Sequence, residues 1–344
     1  MHEHTALMQR ALVAARLGPE ADPNPRVGCV VTDRAGTVVG TGHHRGAGTP
    51  HAEVDALARA GSAARGGTAV VTLEPCDHAG RTGPCTEALL AAGITSVRYA
   101  VADPDPKAAG GAEHLRRAGL DVHVEDDPAM RAAAEAVNAT WLHARRTGRP
   151  FVTWKTASTL DGRTAAADGS SRWITGEAAR ADVHRLRARV GAVLVGTGTV
   201  LADDPALTVR DADGHPAGRQ PLRVVAGRRP VPAGARLLDG HAETLVLPTH
   251  DPTEVLAALL DRGVHHVLLE GGATLAAAFL RAGLVDEVVA YLAPVLLGAG
   301  PAAVGDLGIG SIEGAVRLET TDVTVLGDDV RITARPRTDH HPRS

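Results

Sequence analysis

Two of the three cysteines, Cys76 and Cys85, stand nine positions apart in VTLEPCDHAGRTGPCTEALL, each directly after a proline. Upstream, the segment PHAEV sets His51 and Glu53 two positions apart. On residue types alone the cysteines can be metal ligands, a disulfide or two buried thiols. One imidazole and two thiolates make three ligands, and a catalytic zinc leaves its fourth position to water. Such an ion lowers the pKa of its water to about 7, and a nearby carboxylate must then carry protons. Glu53 is placed for that task if a helix start holds it over the metal. Cys85 opens a predicted helix, where free N–H groups and the dipole favour a thiolate. Cys29 lies in a predicted buried strand and is expected to be a core residue.

These groups need elements to hold them. An amphipathic helix covers roughly residues 6–17. RVGCVVT and TVVGTGH flank the turn DRAG and predict a hairpin. AEVDALARAG predicts a helix ending at Gly61, and TAVVTLE a buried strand that delivers Cys76. CTEALLAAG, SVRYAVAD, AEHLRRAG and LDVHVE continue the alternation, and a long helix is expected over 128–146. The alternation predicts an α/β domain with a parallel or mixed sheet. RRTGRP marks a boundary, and a second α/β series follows. Its strands are expected near FVTWKTA, AVLVGT, LRVVA, TLVLP, HVLLE, DEVVAYLA and the segment VRLETTDVTVLGDDVRITA. Its helices are expected near 176–189, 252–262 and 273–282.

The length of 344 residues suits two domains. A net charge of −4 and 2% aromatics argue against nucleic acid or an anionic membrane as the main partner. No run of about 18 apolar residues predicts a membrane span. Three cysteines and no signal-peptide core point to thiols in a reducing cytoplasm.

H-x-E, then a strand ending in P-C, then a later cysteine at a helix start, is the pattern of zinc deaminases, in which the Glu is acid and base and not a ligand. Beyond that pattern, DPNPRVGCVV, AGTPHAEVDAL, TLEPCDHAGRTGPCTEAL and VADPDPKAAGGAEHLRRAGL together resemble the deaminase half of the bifunctional riboflavin-biosynthesis deaminase/reductase family. The long loop between the cysteines separates that family from deaminases with C-x-x-C. The resemblance implies zinc on His51, Cys76 and Cys85, with Glu53 as the proton shuttle. It places Asn24, His44, His78 and Lys107 on the substrate pocket, with loop-holding hydrogen bonds an equal reading for Asn24 and His78. Arg81, in the same loop, could also reach the substrate. Gly83 stands where the family usually has a second proline.

In the second half, TWKTASTLDGRTA, GSSRWITGEAAR, AVLVGTGTVLADDPALTVR, LLEGGATLAAAFL and LVDEVVAYLAPVLLG resemble the reductase half of the same family. On their own, VLVGTG and VLLEGGATLAAAFL are strand-to-turn segments able to hold phosphate, or simply tight turns, since no Rossmann fingerprint is complete. The resemblance implies a cytidine-deaminase-like three-layer domain over 1–147 and a dihydrofolate-reductase-like α/β domain over 148–335; the polar terminal stretch predicts a disordered tail over 336–344. It implies NADPH bound by Ala157, Trp173, Thr199, Asp203 and the turn Gly272, Ala273, Thr274, Leu275, Ala276, Ala277 and Ala278. It places the substrate on Ser171, Arg187, Leu207, Arg210 and Glu270, with the two arginines suited to clamp a sugar phosphate. Gly227 stands where many members have Asp, in a loop one residue shorter.

The expected activity is zinc-dependent hydrolytic deamination of 2,5-diamino-6-ribosylamino-4(3H)-pyrimidinone 5′-phosphate, followed by NADPH-dependent reduction of the ribosyl side chain to ribityl. The expected partner is that phosphorylated pyrimidine, with no nucleic acid and no membrane, and a homo-oligomer is expected. The alternatives are a single-function zinc deaminase with a non-catalytic second domain and an RNA- or base-editing deaminase with an accessory module.

Overall fold

The computed structural model describes residues 2–78, 83–211 and 214–337, with side chains from His4 onward. The chain divides into two compact units that meet at Gly148 and Arg149 in sequence.

The first unit runs α1 (His2–Ala15), β1 (Gly28–Thr32), β2 (Val38–His43), α2 (Ala52–Ala60), β3 (Thr68–Leu73), α3 (Cys85–Ala92), β4 (Ser96–Val101), α4 (Gly111–Arg117), β5 (Asp121–Val124), α5 (Pro128–Val137) and α6 (Ala139–Thr147). Its sheet has the order β2-β1-β3-β4-β5. The expected hairpin forms, with β1 antiparallel to β2 and β3, while β3, β4 and β5 are parallel. Strand alternation sends Cys29 and Val31 toward α2, α3 and α4, and Val30 and Val70 toward α1, α5 and α6. Two apolar layers on one sheet give the three-layer arrangement.

The helix expected over 128–146 is two helices. Asn138 breaks it, because its side chain is already committed elsewhere. Its Oδ1 accepts the Arg26 N–H at 2.8 Å and its Nδ2 donates to the Arg26 carbonyl at 2.9 Å. Asparagine bonds readily to backbone outside a helix ladder.

Gly42 brings α2 against the sheet. A Cβ there would lie 2.3 Å from the Ala56 nitrogen and 2.4 Å from the Ala52 carbonyl oxygen. Only a bare strand position allows that approach, and α2 begins beside His51 and Glu53. Gly42→Val should cost roughly 1–3 kcal/mol by overpacking, read as a lower urea midpoint; an unchanged midpoint would mean the helix can retreat without loss.

The second unit runs β6 (Phe151–Thr159), α7 (Glu177–Ala188), β7 (Ala192–Gly196), α8 (Thr197–Asp203), β8 (Leu222–Ala226), β9 (Thr244–Leu247), α9 (Pro252–Leu260), β10 (His266–Leu269), α10 (Ala273–Arg281), β11 (Glu287–Ala293), β12 (Leu318–Leu326) and β13 (Asp329–Pro336). The sheet order is β12-β13-β11-β6-β10-β7-β8-β9. Strands from β11 to β9 are parallel, and β13 and β12 add antiparallel at one edge. Leu194, Val224, Val267 and Leu269 pack on one face with α9 and α10, and Val193, Val195 and Val225 on the other with Val200 of α8. The segment VRLETTDVTVLGDDVRITA is a hairpin, β12 and β13. Helix α8 lies outside the expected helix ranges and follows the turn expected at VLVGTG; Val200 is buried and gives it an apolar anchor. The expected tail falls largely on residues 338–344, outside the described residues.

Candidate active site

His51 is the N-cap of α2 and keeps its side chain free of capping. Its Nδ1 lies 3.2 Å from Cys85 Sγ and 3.5 Å from Cys76 Sγ. The three donor atoms lie within 4.8 Å of one another. Cys76 follows β3, and Cys85 is the first residue of α3. The corner is fixed by the Thr86 N–H donating to the Cys76 carbonyl at 3.3 Å. It is fixed again by Asp77, whose Oδ1 accepts from Thr86 Oγ1 at 2.8 Å and pairs with His114 Nδ1 at 2.6 Å. All three cysteines are unpaired, and Cys29 is a core residue whose thiol burial pushes up.

The electrostatics of this cluster fit a divalent cation. A hydrogen bond from the Cys85 thiol holds Cys76 down at about 4, and the same pairing with burial pushes Cys85 up. Thus only one sulfur is readily anionic by itself. Two thiolates beside the buried Glu53 carboxyl need a cation, and His-Cys-Cys is a donor set that zinc takes. Glu53, 3% exposed, sits in the first turn of α2. Burial first, and then the charge on Cys76, push its carboxyl up to about 7.

His51, Glu53 and Cys76 open on a cavity of about 260 Å³. Asn24, His44 and His78 line it, and Lys107 does not; it is exposed, with its N–H on Asp105 Oδ1 at 3.0 Å. Pro50 has only a carbonyl to offer, so His44 Nδ1 donates to it at 3.1 Å, and His44 Nε2 takes the Asn24 Nδ2–H at 3.2 Å. His44 meets His51 edge-on, with ring centroids 5.4 Å apart. Asn24 therefore both faces the cavity and holds its wall. Arg81 lies outside the described residues. Gly83 has open space where a Cβ would stand, so nothing among the described residues packed around it requires glycine.

Glu74, Asp103, Asp105, Trp141 and Arg145 also line the cavity and were not expected. Glu74 follows β3, and Asp103 and Asp105 follow β4, its parallel neighbour. The rule that ligands sit beyond the carboxyl ends of parallel strands could have picked them. Glu74 accepts the Asp103 and Ala112 N–H groups at 3.1 and 3.0 Å, and so shapes the loop after β4. Burial pushes the Asp103 carboxyl up to about 6.

In the second unit, Arg187 and Glu270 were expected as separate substrate contacts. They instead grip each other through Nε–Oε1 at 2.6 Å and Nη2–Oε2 at 2.9 Å. The remaining Arg187 Nη1 reaches the Thr208 carbonyl at 3.2 Å, so this guanidinium has little left for a phosphate. Lys155 stands 4.0 Å from Glu270, and burial holds its ammonium below the usual lysine range against the pull of that carboxylate. Glu270→Gln would leave Arg187, only 15% exposed at its side chain, short of its counter-charge. The expected cost is about 3–5 kcal/mol, seen as a lower thermal midpoint; an unchanged midpoint would show that buried Arg187 does not depend on the Glu270 carboxylate.

Arg210 is exposed and donates to the Gly214 carbonyl at 2.6 Å. Ser171 is exposed, and Trp173 stands 70% exposed with the Arg180 guanidinium 4.4 Å over its ring. Ala157 packs beside Tyr291. Ala276 and Ala277 of the expected nucleotide turn point into the core, as does Leu207, so none offers a side chain to a ligand. Thr199 and Gly272 do meet: the Gly272 N–H donates to Thr199 Oγ1 at 3.3 Å. This joins the starts of α8 and α10 beyond the carboxyl ends of neighbouring parallel strands. Gly272 and Thr274 are exposed there, so the first turn of α10 fits a dinucleotide's phosphates. Asp203 is exposed at the end of α8. Gly227 has φ 136°, and a Cβ would lie 2.6 Å from Thr197 Oγ1, which accounts for glycine at that position.

Fold and site define a zinc deaminase unit of the cytidine-deaminase type and a reductase unit like dihydrofolate reductase. Residues 1–101 match the cytidine and deoxycytidylate deaminase zinc-binding region, and residues 150–332 match the RibD C-terminal domain. The riboflavin biosynthesis protein RibD of Mycobacterium tuberculosis is 53% identical over 315 residues, covering 90% of this chain and 91% of that one. The structure of Acinetobacter baumannii RibD superposes with a TM-score of 0.89 at 39% identity, covering 98% and 99% of the two chains. A Thermotoga maritima diaminohydroxyphosphoribosylaminopyrimidine deaminase/5-amino-6-(5-phosphoribosylamino)uracil reductase gives 0.85 at 32% identity with the same coverage. The chain belongs to the RibD family of bifunctional riboflavin-biosynthesis enzymes, with zinc and NADPH as cofactors. Nothing in these matches favours a single-function deaminase. Among the described residues, no helix is long and apolar enough to cross a membrane.

Proposed function

We propose that the first unit hydrolyses the 2-amino group of 2,5-diamino-6-ribosylamino-4(3H)-pyrimidinone 5′-phosphate, and that the second reduces the ribosyl side chain of the product to ribityl. The observation that carries this is the His51–Cys76–Cys85 donor set, with His51, Cys76 and buried Glu53 lining one cavity. Zinc, when held by those three residues, supplies Lewis acidity and a nucleophilic water at neutral pH. Glu53 takes a proton from the attacking water at its carboxylate and passes it to the departing amine, so water and the C–NH₂ group become C=O and ammonia. Asn24 and His44 form one wall against the ring, and the carboxylates of Asp103 and Asp105 suit its N–H groups.

In the second unit, NADPH supplies the hydride to C1′. Thr199, Asp203 and the exposed start of α10 at Gly272–Thr274 serve the cofactor. Ser171, Arg210 and Glu270 serve the substrate, with Arg187 orienting Glu270 rather than clamping phosphate. The unpaired cysteines support action in a reducing cytoplasm. Val323 and Val325, 60% and 70% exposed on edge strand β12, support self-association as a homo-oligomer. A coupled assay tests the reading. The diaminopyrimidine phosphate alone should release ammonia, and NADPH should be oxidised only after that release. NADPH oxidation without deamination, or ammonia release without subsequent NADPH oxidation, would contradict the proposed sequence.

A further inference from the structure

A zinc knuckle usually spaces its cysteines about two to four residues apart, so that one tight turn carries both sulfurs. Cys76 and Cys85 stand nine positions apart, and no single turn joins them. Helix α4, which supplies no donor, instead holds both cysteine-bearing segments. Glu74, two residues before Cys76, accepts the Ala112 N–H with Oε1 at 3.0 Å. The first residue of α4 is Gly111, and a Cβ there would lie 1.8 Å from the Pro75 carbonyl oxygen and 3.2 Å from Thr86 Cγ2. The helix start is pressed between the residue before one cysteine and the residue after the other, an approach that only glycine allows. The Asp77 N–H adds a bond to the Ala108 carbonyl at 3.1 Å, just ahead of α4.

His114, one turn into α4, completes the hold. A carboxylate only accepts, so His114 Nδ1 donates to Asp77 Oδ1, at 2.6 Å. The same oxygen accepts the Thr86 hydroxyl at 2.8 Å. Asp77 directly follows Cys76 and Thr86 directly follows Cys85. One oxygen therefore joins the two backbones at the positions next to the sulfur donors. None of the three residues is itself a member of the donor cluster. We propose that Asp77 and His114 are positioning residues for the zinc site: with Thr86 they clamp the two cysteine segments against α4 and set the separation of the sulfurs. This role presupposes the donor assignment of His51, Cys76 and Cys85. Groups of this kind orient the donors before the ion arrives, and so raise its affinity.

The test uses the full chain, with zinc and a chromophoric chelator in competition. Asp77→Ala should weaken zinc binding roughly 10- to 100-fold. His114→Ala and Thr86→Val should each weaken it less, since the clamp keeps one of its arms. In the Asp77→Ala background either second change should add little, because all act through one oxygen. Asp77→Asn keeps an acceptor oxygen and should recover most of the affinity. Cobalt(II) in place of zinc gives a visible spectrum that follows the geometry of the donors. Its bands should shift and broaden in Asp77→Ala and return in Asp77→Asn. A residue that only supported the fold would lower the thermal midpoint of the zinc-free chain and leave affinity and spectrum alone.

Wild-type zinc affinity with an unchanged cobalt spectrum in Asp77→Ala would overturn the clamp, and so would fully additive losses in the double variants. If Asp77→Ala does not fold, His114→Ala decides, because that side chain is 34% exposed and its removal opens little void. Weaker zinc binding then supports the clamp, and wild-type affinity refutes it. A wild-type chain that takes up no zinc, or a Cys85→Ser chain that keeps it, would instead overturn the donor assignment itself.

Discussion

Glu53→Gln should cut ammonia release by roughly 10²- to 10⁴-fold, the range of a positioned acid–base group. Zinc should stay bound and NADPH oxidation by the second unit should continue. Glutamine has the same shape, so a side chain 3% exposed in the first turn of α2 is replaced without a cavity. What is lost is the capacity to take a proton and return it. The carboxyl has no other assignment that an amide could not fill, since the metal donors are His51, Cys76 and Cys85. Ammonia release, bound zinc and thermal midpoint should therefore separate. A variant that loses zinc along with activity would make Glu53 a ligand or a support of one. Undiminished turnover would remove it from the chemistry.

Cys85→Ser should release the metal. Cys85 is fully buried at the first position of α3, so its sulfur is held in place by the helix start. A serine hydroxyl does not ionise near neutral pH, so the site drops to one imidazole and one thiolate, too few to hold zinc against a mild chelator. Metal content by atomic absorption should fall to background, and ammonia release should fall with it. The reductase should persist, since its site lies in the other unit. Cys29→Ala, which removes the third thiol from the core without touching the donors, should keep its zinc. Zinc retained at wild-type stoichiometry in Cys85→Ser would disprove the ligand assignment.

The metal donors were legible because each stands at a place that local pattern reveals: an N-cap, a strand end and a helix start. The strands were legible for the same reason, as short apolar runs between turn residues. Two misreadings share a cause in tertiary contact. The helix over 128–146 keeps its period through Asn138, and only the distant backbone of Arg26 explains the break. Helix α8 hides in a run with glycines and threonines because its anchor, Val200, needs the neighbouring core to matter. The Arg187–Glu270 pair joins residues 83 positions apart, and no pattern along the chain distinguishes an arginine aimed at a carboxylate from one aimed at a ligand. Trp141 and Arg145 read as ordinary helix residues until α6 is seen to wall the cavity.

The clasp between Asn138 and Arg26 has a consequence for the dimensions of the cavity. Asn24 lies two residues from one end of the clasp, and Trp141 three residues from the other, and both face the same space. The zinc donors all fall between residues 51 and 85, away from both ends of the clasp in sequence. One amide side chain, by the length of its two hydrogen bonds, thus acts as a gauge for the gap across which a substrate must fit. Changing its reach would alter which ring can enter, and leave the metal and its proton carrier where they are.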